Sequence, residues 1–145
     1  MINKACPVVL RKNNGDLEIL AFTHPLAGNQ IVKGSIELGE TLQVACIREL
    51  QEEAGINASP IADLGEWDDA YNNTRWGFCL MQLQEPLPDS WEFYCTDDGG
   101  HLFKFFWQPL HCELDEHWHS VFTGAIQFIK GVLNKERINL SPVLL

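Results

Sequence analysis

What the chain has little of narrows its possibilities first. It carries only ten Lys and Arg against twenty Asp and Glu in 145 residues, a net charge of -10. Such a chain repels nucleic-acid backbones and anionic lipid, so a bulk electrostatic grip on either is disfavoured. No apolar run approaches the roughly 20 residues that a membrane helix requires, so no membrane partner is expected. The five cysteines are scattered at 6, 46, 79, 95 and 112 with no Cys-x-x-Cys pair, and Met1–Asp16 holds no signal-peptide core. These features predict a reduced, cytoplasmic setting. There are no repeats and no linker, and the length suits one domain over residues 1–145. At 46% hydrophobic and 21% charged residues, a packed core is within reach.

Apolar runs and turn signals predict a mixed α+β chain. Cys6–Leu10 and Leu17–Phe22 flank Asn13-Asn14-Gly15 and read as an antiparallel hairpin. Gln30–Lys33 reads as a short strand ending at Gly34. Thr41–Ala54 changes period, with Leu42, Ala45, Cys46 and Leu50 at helical steps and Gly55 at the C-terminal position. Ile56–Thr74 is mixed and polar, without a predicted element. Strand-like runs follow at Arg75–Leu83, Trp91–Cys95 and Leu102–Trp107, the last two separated by the turn signal Asp97–Gly100. From Trp118 to Leu133 apolar residues trace the buried stripe of a second helix.

The chemistry concentrates between Gly34 and Ile56. Glu49, Glu52 and Glu53 stand three and four residues apart, so a helix projects all three from one face. Like charges so placed repel, and a hard divalent cation would relieve the repulsion; magnesium takes carboxylate oxygens together with substrate phosphates. A solvated acidic helix face is the alternative that spacing alone leaves open. Arg48 directly precedes Glu49, and Gly34 and Gly39 bracket the loop before the helix, where a backbone without Cβ permits close approach.

This stretch resembles the Nudix box: Gly34, Glu40, Arg48, Glu49, Leu50, Glu52, Glu53, Gly55 and Ile56 occupy all its fixed positions. The resemblance implies an α/β/α sandwich, a mixed β-sheet flanked by helices. It also implies a hydrolase that cuts a pyrophosphate bond in a nucleoside diphosphate linked to another group, such as a dinucleoside polyphosphate or a nucleoside triphosphate. Carried over, Glu49, Glu52 and Glu53 would bind Mg2+, with Mn2+ as a substitute, and Gly34 would offer a backbone group near the metal. Glu49 or Glu52 would activate water, and Arg48 would hold the glutamates through charge-assisted hydrogen bonds. Relatives place a further carboxylate outside the box. Here Asp97 and Asp98 are candidates, Asp98 as a metal ligand, with Glu85 and Glu92 behind them.

For substrate binding the resemblance points to Lys33, before Gly34, as a contact for a second phosphate. Tyr71 lies close to where dinucleoside polyphosphate relatives carry a stacking tyrosine. Trp67 and Trp76 offer further aromatic faces, though all three aromatics read more simply as packing. His24 next to Pro25 faces the site or caps a turn. Two other functions stay open: a Nudix-fold sensor that binds a nucleotide without cutting it, and a zinc module built on His111, Cys112, His117 and His119. The expected partner is a small nucleotide-type molecule. Nothing in the pattern sets an oligomeric state.

Overall fold

A computed structural model describes residues 1–135 and 138–144. The elements run β1 (Lys4–Val8), β2 (Leu10–Asn13), β3 (Asp16–His24), β4 (Gly28–Gln30), β5 (Gly34–Ser35), α1 (Leu42–Ala54), β6 (Ala58–Asp69), β7 (Thr74–Leu83), β8 (Trp91–Cys95), β9 (His101–Pro109) and α2 (Ser120–Lys135). The strands divide into two sheets. One, in the order β5-β1-β7-β6, is mixed, because β1 runs parallel to β7. The other, β2-β3-β9-β8 with β4 beside β3, is antiparallel.

Alternation along the strands sends side chains to two apolar clusters, one under each helix. Ala5, Val9, Cys79 and Met81 join Phe22, Phe103 and Phe105 beneath Leu42, Ala45, Cys46 and Leu50 of α1. Cys6, Val8, Trp76, Phe78 and Leu80 meet Phe122, Ala125, Ile126 and Ile129 of α2 on the opposite side. The layers are therefore helix, sheets, helix. Among the described residues no helix is long and apolar enough to cross a membrane.

α1 starts where Thr41 caps it, its side chain accepting the Val44 amide at 3.2 Å. It ends at Gly55, whose φ of 68° is left-handed and whose amide returns to Gln51. A Cβ at Gly55 would also sit 2.6 Å from the Phe93 ring, so that position needs glycine twice over.

Three sequence expectations are corrected. The Cys6–Leu10 run is not one hairpin arm: β1 joins the mixed sheet, and only β2 pairs with β3 around the Asn13–Asp16 turn. Strand pairing flanks Ile31–Lys33 instead of including it, at Gly28–Gln30 and Gly34–Ser35. The polar stretch after α1 holds the 12-residue strand β6, irregular in register at Pro60/Ala62 and Asp63/Gly65.

Candidate active site

The Glu-rich face of α1 meets the short strand β5 at a point of close contact. A Cβ built on Gly34 would lie 2.1 Å from the Glu49 carboxyl carbon. Only hydrogen leaves room there, and the backbone of β5 forms a cradle for that carboxylate.

Arg48 organises the rest. Its Nε and Nη2 donate to the two oxygens of Glu40 at 2.7 and 2.8 Å, a bidentate pair. Nη2 also donates to the Ser35 carbonyl at 2.9 Å, while Nη1 donates to Glu49 at 2.8 Å and to Glu52 at 3.1 Å. One guanidinium thus ties the entry loop, β5 and two of the three glutamates together. The Arg48 hydrogen bonds hold the Glu40 carboxyl at a pKa of about 2, well below its ordinary value, helped by the Glu37 amide. The Arg48 pKa rises in turn, chiefly through Glu40.

Glu49 and Glu53 behave differently. Glu49 is only 7% exposed, and burial raises its pKa against the opposing pull of Arg48. Burial, then the charge of Glu49, lifts the Glu53 carboxyl well above its ordinary range, with Lys33 opposing. Glu53 Oε2 is enclosed and has no hydrogen-bond partner among the described residues. Glu52 stays exposed.

A hard divalent cation fits this donor set. Three carboxylates supply the oxygen ligands such ions prefer, and one of those oxygens is orphaned. As they stand, no three His, Cys, Asp or Glu side chains among the described residues are arranged to hold a metal ion, and Arg48 stands between Glu49 and Glu52.

The loop carboxylates separate. The charge of Asp97 reaches Glu53, whereas that of Asp98 reaches His24. Asp98 occupies the left-handed turn position at φ 54°. His24 accepts the Leu26 amide at 3.0 Å and packs against His101 with ring centroids 4.7 Å apart. Burial, followed by the charge of His101, lowers its pKa.

A cleft of about 400 Å³ is lined by Lys4, Lys33, Gln30, Asp69, Asn72, Thr74, Trp76 and His119, with Val121 and Phe122. Lys33 Nζ stands 5.4 Å from the centre of the Trp76 ring. Burial lowers the Lys33 pKa and the neighbouring Lys4 lowers it further. Lys4 Nζ donates to Ser35 Oγ at 2.7 Å. The charge of Glu53 reaches Lys33, whereas Tyr71 lies at the surface, 93% exposed. Trp67 packs edge-on to Trp76, and a Cβ on Gly124 of α2 would touch its ring at 2.7 Å, so its face serves α2. Trp76 itself is buried. His111 Nε2 meets Cys112 Sγ at 3.5 Å, but among the described residues no third such side chain joins them to hold a metal, and His119 lines the cleft with Lys33. Lys4, Gln30, Asp69, Asn72 and Thr74 went unseen in the sequence, where they stand outside the box and far apart along the chain.

The family model described as the NUDIX domain matches residues 1–123. Among solved structures, a Nudix hydrolase from M. Smegmatis, RenU, superimposes with a TM-score of 0.64 at 16% identity, covering 99% of this chain and 90% of its own. An ADP-ribose pyrophosphatase from Streptococcus suis gives a TM-score of 0.63 at 14% identity, covering 94% of each chain. The C. elegans Ap4A hydrolase gives 0.59 at 19% identity, covering 92% of this chain and 99% of its own. At these identities the likeness establishes the fold. No curated protein matches the sequence.

Proposed function

The chain belongs to the Nudix family of hydrolases, and on that premise we propose that it is a magnesium-dependent pyrophosphohydrolase of a nucleoside diphosphate linked to a further group. The observation that carries the metal is the enclosed Glu53 Oε2, which lacks a partner among the described residues and stands beside a second buried carboxylate. Glu49, Glu52 and Glu53 would hold the ion, with Asp98 or Asp97 as the loop carboxylate, and the charge of Asp97 reaches Glu53. When bound, magnesium neutralises the pyrophosphate oxygens and lowers the pKa of water.

The remaining work falls to the chain's own residues. Gly34 seats the Glu49 carboxylate against the backbone. Arg48, fixed by Glu40, gathers Glu49 and Glu52 around one guanidinium on the face where the ion would sit. Glu49 or Glu52 accepts the proton of the attacking water. Lys33 and Lys4 meet the phosphate oxygens on the cleft side, a local basic pocket in a chain of net charge -10.

The test is a substrate panel of diadenosine polyphosphates, nucleoside triphosphates, nucleotide sugars, ADP-ribose and 5′-triphosphate RNA, with released phosphate or pyrophosphate measured. Wild type should turn over one class only with magnesium, and Glu53→Gln should lose that turnover while keeping its fold. Nucleotide binding without turnover of any class would replace the hydrolase by a sensor.

A further inference from the structure

The cleft carries charge of both signs. Two cations, Lys33 and Lys4, line it. So does a carboxylate, Asp69, only 3% exposed at the end of β6, and its charge reaches Lys33. Few carboxylates are retained at such burial without a polar task.

The hydrogen bonds of Asp69 can be counted. Oδ1 accepts the Tyr71 amide at 3.0 Å and the Asn72 amide at 3.4 Å. Oδ2 accepts the Asn72 side-chain amide at 2.7 Å. A carboxylate offers roughly four acceptor positions, so among the described residues one remains, on Oδ2. His119, on the same cleft, accepts the Val121 amide through Nδ1 at 3.3 Å, which leaves Nε2–H as a donor. Val121 and Phe122 supply an apolar wall.

A guest in this cleft therefore meets an anionic acceptor and a neutral donor beside an apolar wall. A phosphate set against Asp69 would be repelled by it, and a cationic amine would be repelled by Lys33 and Lys4. A neutral, flat heterocycle carrying an N–H donor satisfies all of these constraints. We propose that Asp69 is a specificity-determining residue that accepts a hydrogen bond from the exocyclic amino group of a nucleobase, so that the cleft selects amino-bearing nucleoside polyphosphates. The lysines then lie where the base's phosphate chain leaves for the glutamates, which rests on the hydrolase reading above. A hydrogen bond to an ionised acceptor is worth about tenfold or more in affinity.

Binding without turnover separates the two readings. Affinities are measured by titration calorimetry in a chelating buffer for pairs that differ by one amino group: GTP against ITP, and ATP against purine riboside triphosphate. In wild type at least one amino-bearing member binds about tenfold or more tightly than its partner. Asp69→Asn retains an oxygen for the Tyr71 and Asn72 backbone amides but puts an NH2 in place of Oδ2, where it faces the guest and requires the Asn72 side-chain amide to flip, and it abolishes that preference. Equal affinities in both wild-type pairs overturn the proposal, as does a preference that survives Asp69→Asn. A uniform weakening of all four ligands in the variant also overturns it, since that is the mark of a purely structural role. Loss of turnover in the magnesium panel with the binding preference intact would overturn the hydrolase reading alone.

Discussion

Replacing Gly34 by alanine places a methyl carbon 2.1 Å from the Glu49 carboxyl carbon and from Oε1, and 2.3 Å from Oε2. Ordinary contact requires about 3.5 Å, so the carboxylate must retreat by roughly 1.4 Å. The Gly34 backbone is not left-handed, so alanine brings no φ strain there. All the misfit therefore falls on the flexible end of Glu49. A retreat of that size breaks the 2.8 Å hydrogen bond from Arg48 Nη1, worth about 1.5–3 kcal/mol, part of which returns through solvation of the displaced carboxylate. The expected stability loss is thus at most about 2 kcal/mol, or up to ~8 °C in melting temperature. The catalytic loss should be larger in proportion, because a displacement on this scale at a reacting centre costs about a hundredfold in rate. The assay pairs thermal melting with kcat on the substrate found by the panel. Gly131→Ala serves as control: nothing lies within 4 Å of its Cβ, it sits inside α2, and it should gain ~0.5–1 kcal/mol with kcat unchanged. A folded Gly34→Ala protein with wild-type kcat would refute the reasoning, since the seat of Glu49 would then be irrelevant to the reaction.

Further outcomes follow from other parts of the structure. The Glu40 carboxyl, held at a pKa of about 2 against an ordinary 4.5, contributes stability that is present above pH 4.5 and lost as pH falls toward 2. Glu40→Gln should flatten that part of the acid-melting curve, and an unchanged curve would exclude the Arg48 pairing as its source. Gly124→Ala would press its Cβ to 2.7 Å from the Trp67 ring, wedged between Trp76 and α2, and should destabilise by about 1–3 kcal/mol in chemical denaturation. Of the five cysteines only Cys112 is exposed, so a thiol reagent should label one site rapidly in the native protein and five after unfolding. Fast labelling of a second thiol would contradict the burial of Cys6, Cys46, Cys79 and Cys95.

What could be read from the sequence depended on how much of each signal was local. α1 was legible because its apolar period and the closing Gly55 lie within a few turns of each other and agree, while the Thr41 cap showed only in the structure. β6 was not, since it presents only Ala58, Leu64 and Asp69 as buried positions and is interrupted by Pro60 and Gly65, so the two-residue alternation never accumulates. The division of Cys6–Leu10 between two sheets was hidden for the opposite reason. Ala5, Cys6, Val8, Val9 and Leu10 are all buried, and a uniformly apolar run carries no mark of where it changes partner. In the site, the spacing of the box located Arg48 and the glutamates, but not the bidentate pairing with Glu40, which depends on how the entry loop turns. Asp69 and Lys4 became visible only when β6 and β1 were laid against the same cleft.

The passage of the chain from β1 to β2 has a mechanical consequence. Val8 is registered against Leu80 in the mixed sheet, while the carbonyl of the next residue, Val9, accepts the Leu20 amide of the antiparallel sheet. A single peptide step therefore fastens the two sheets with no slack between them. Pulling one sheet apart must load the other at once, and the strand amides of both should lose their exchange protection together, in one opening event rather than two.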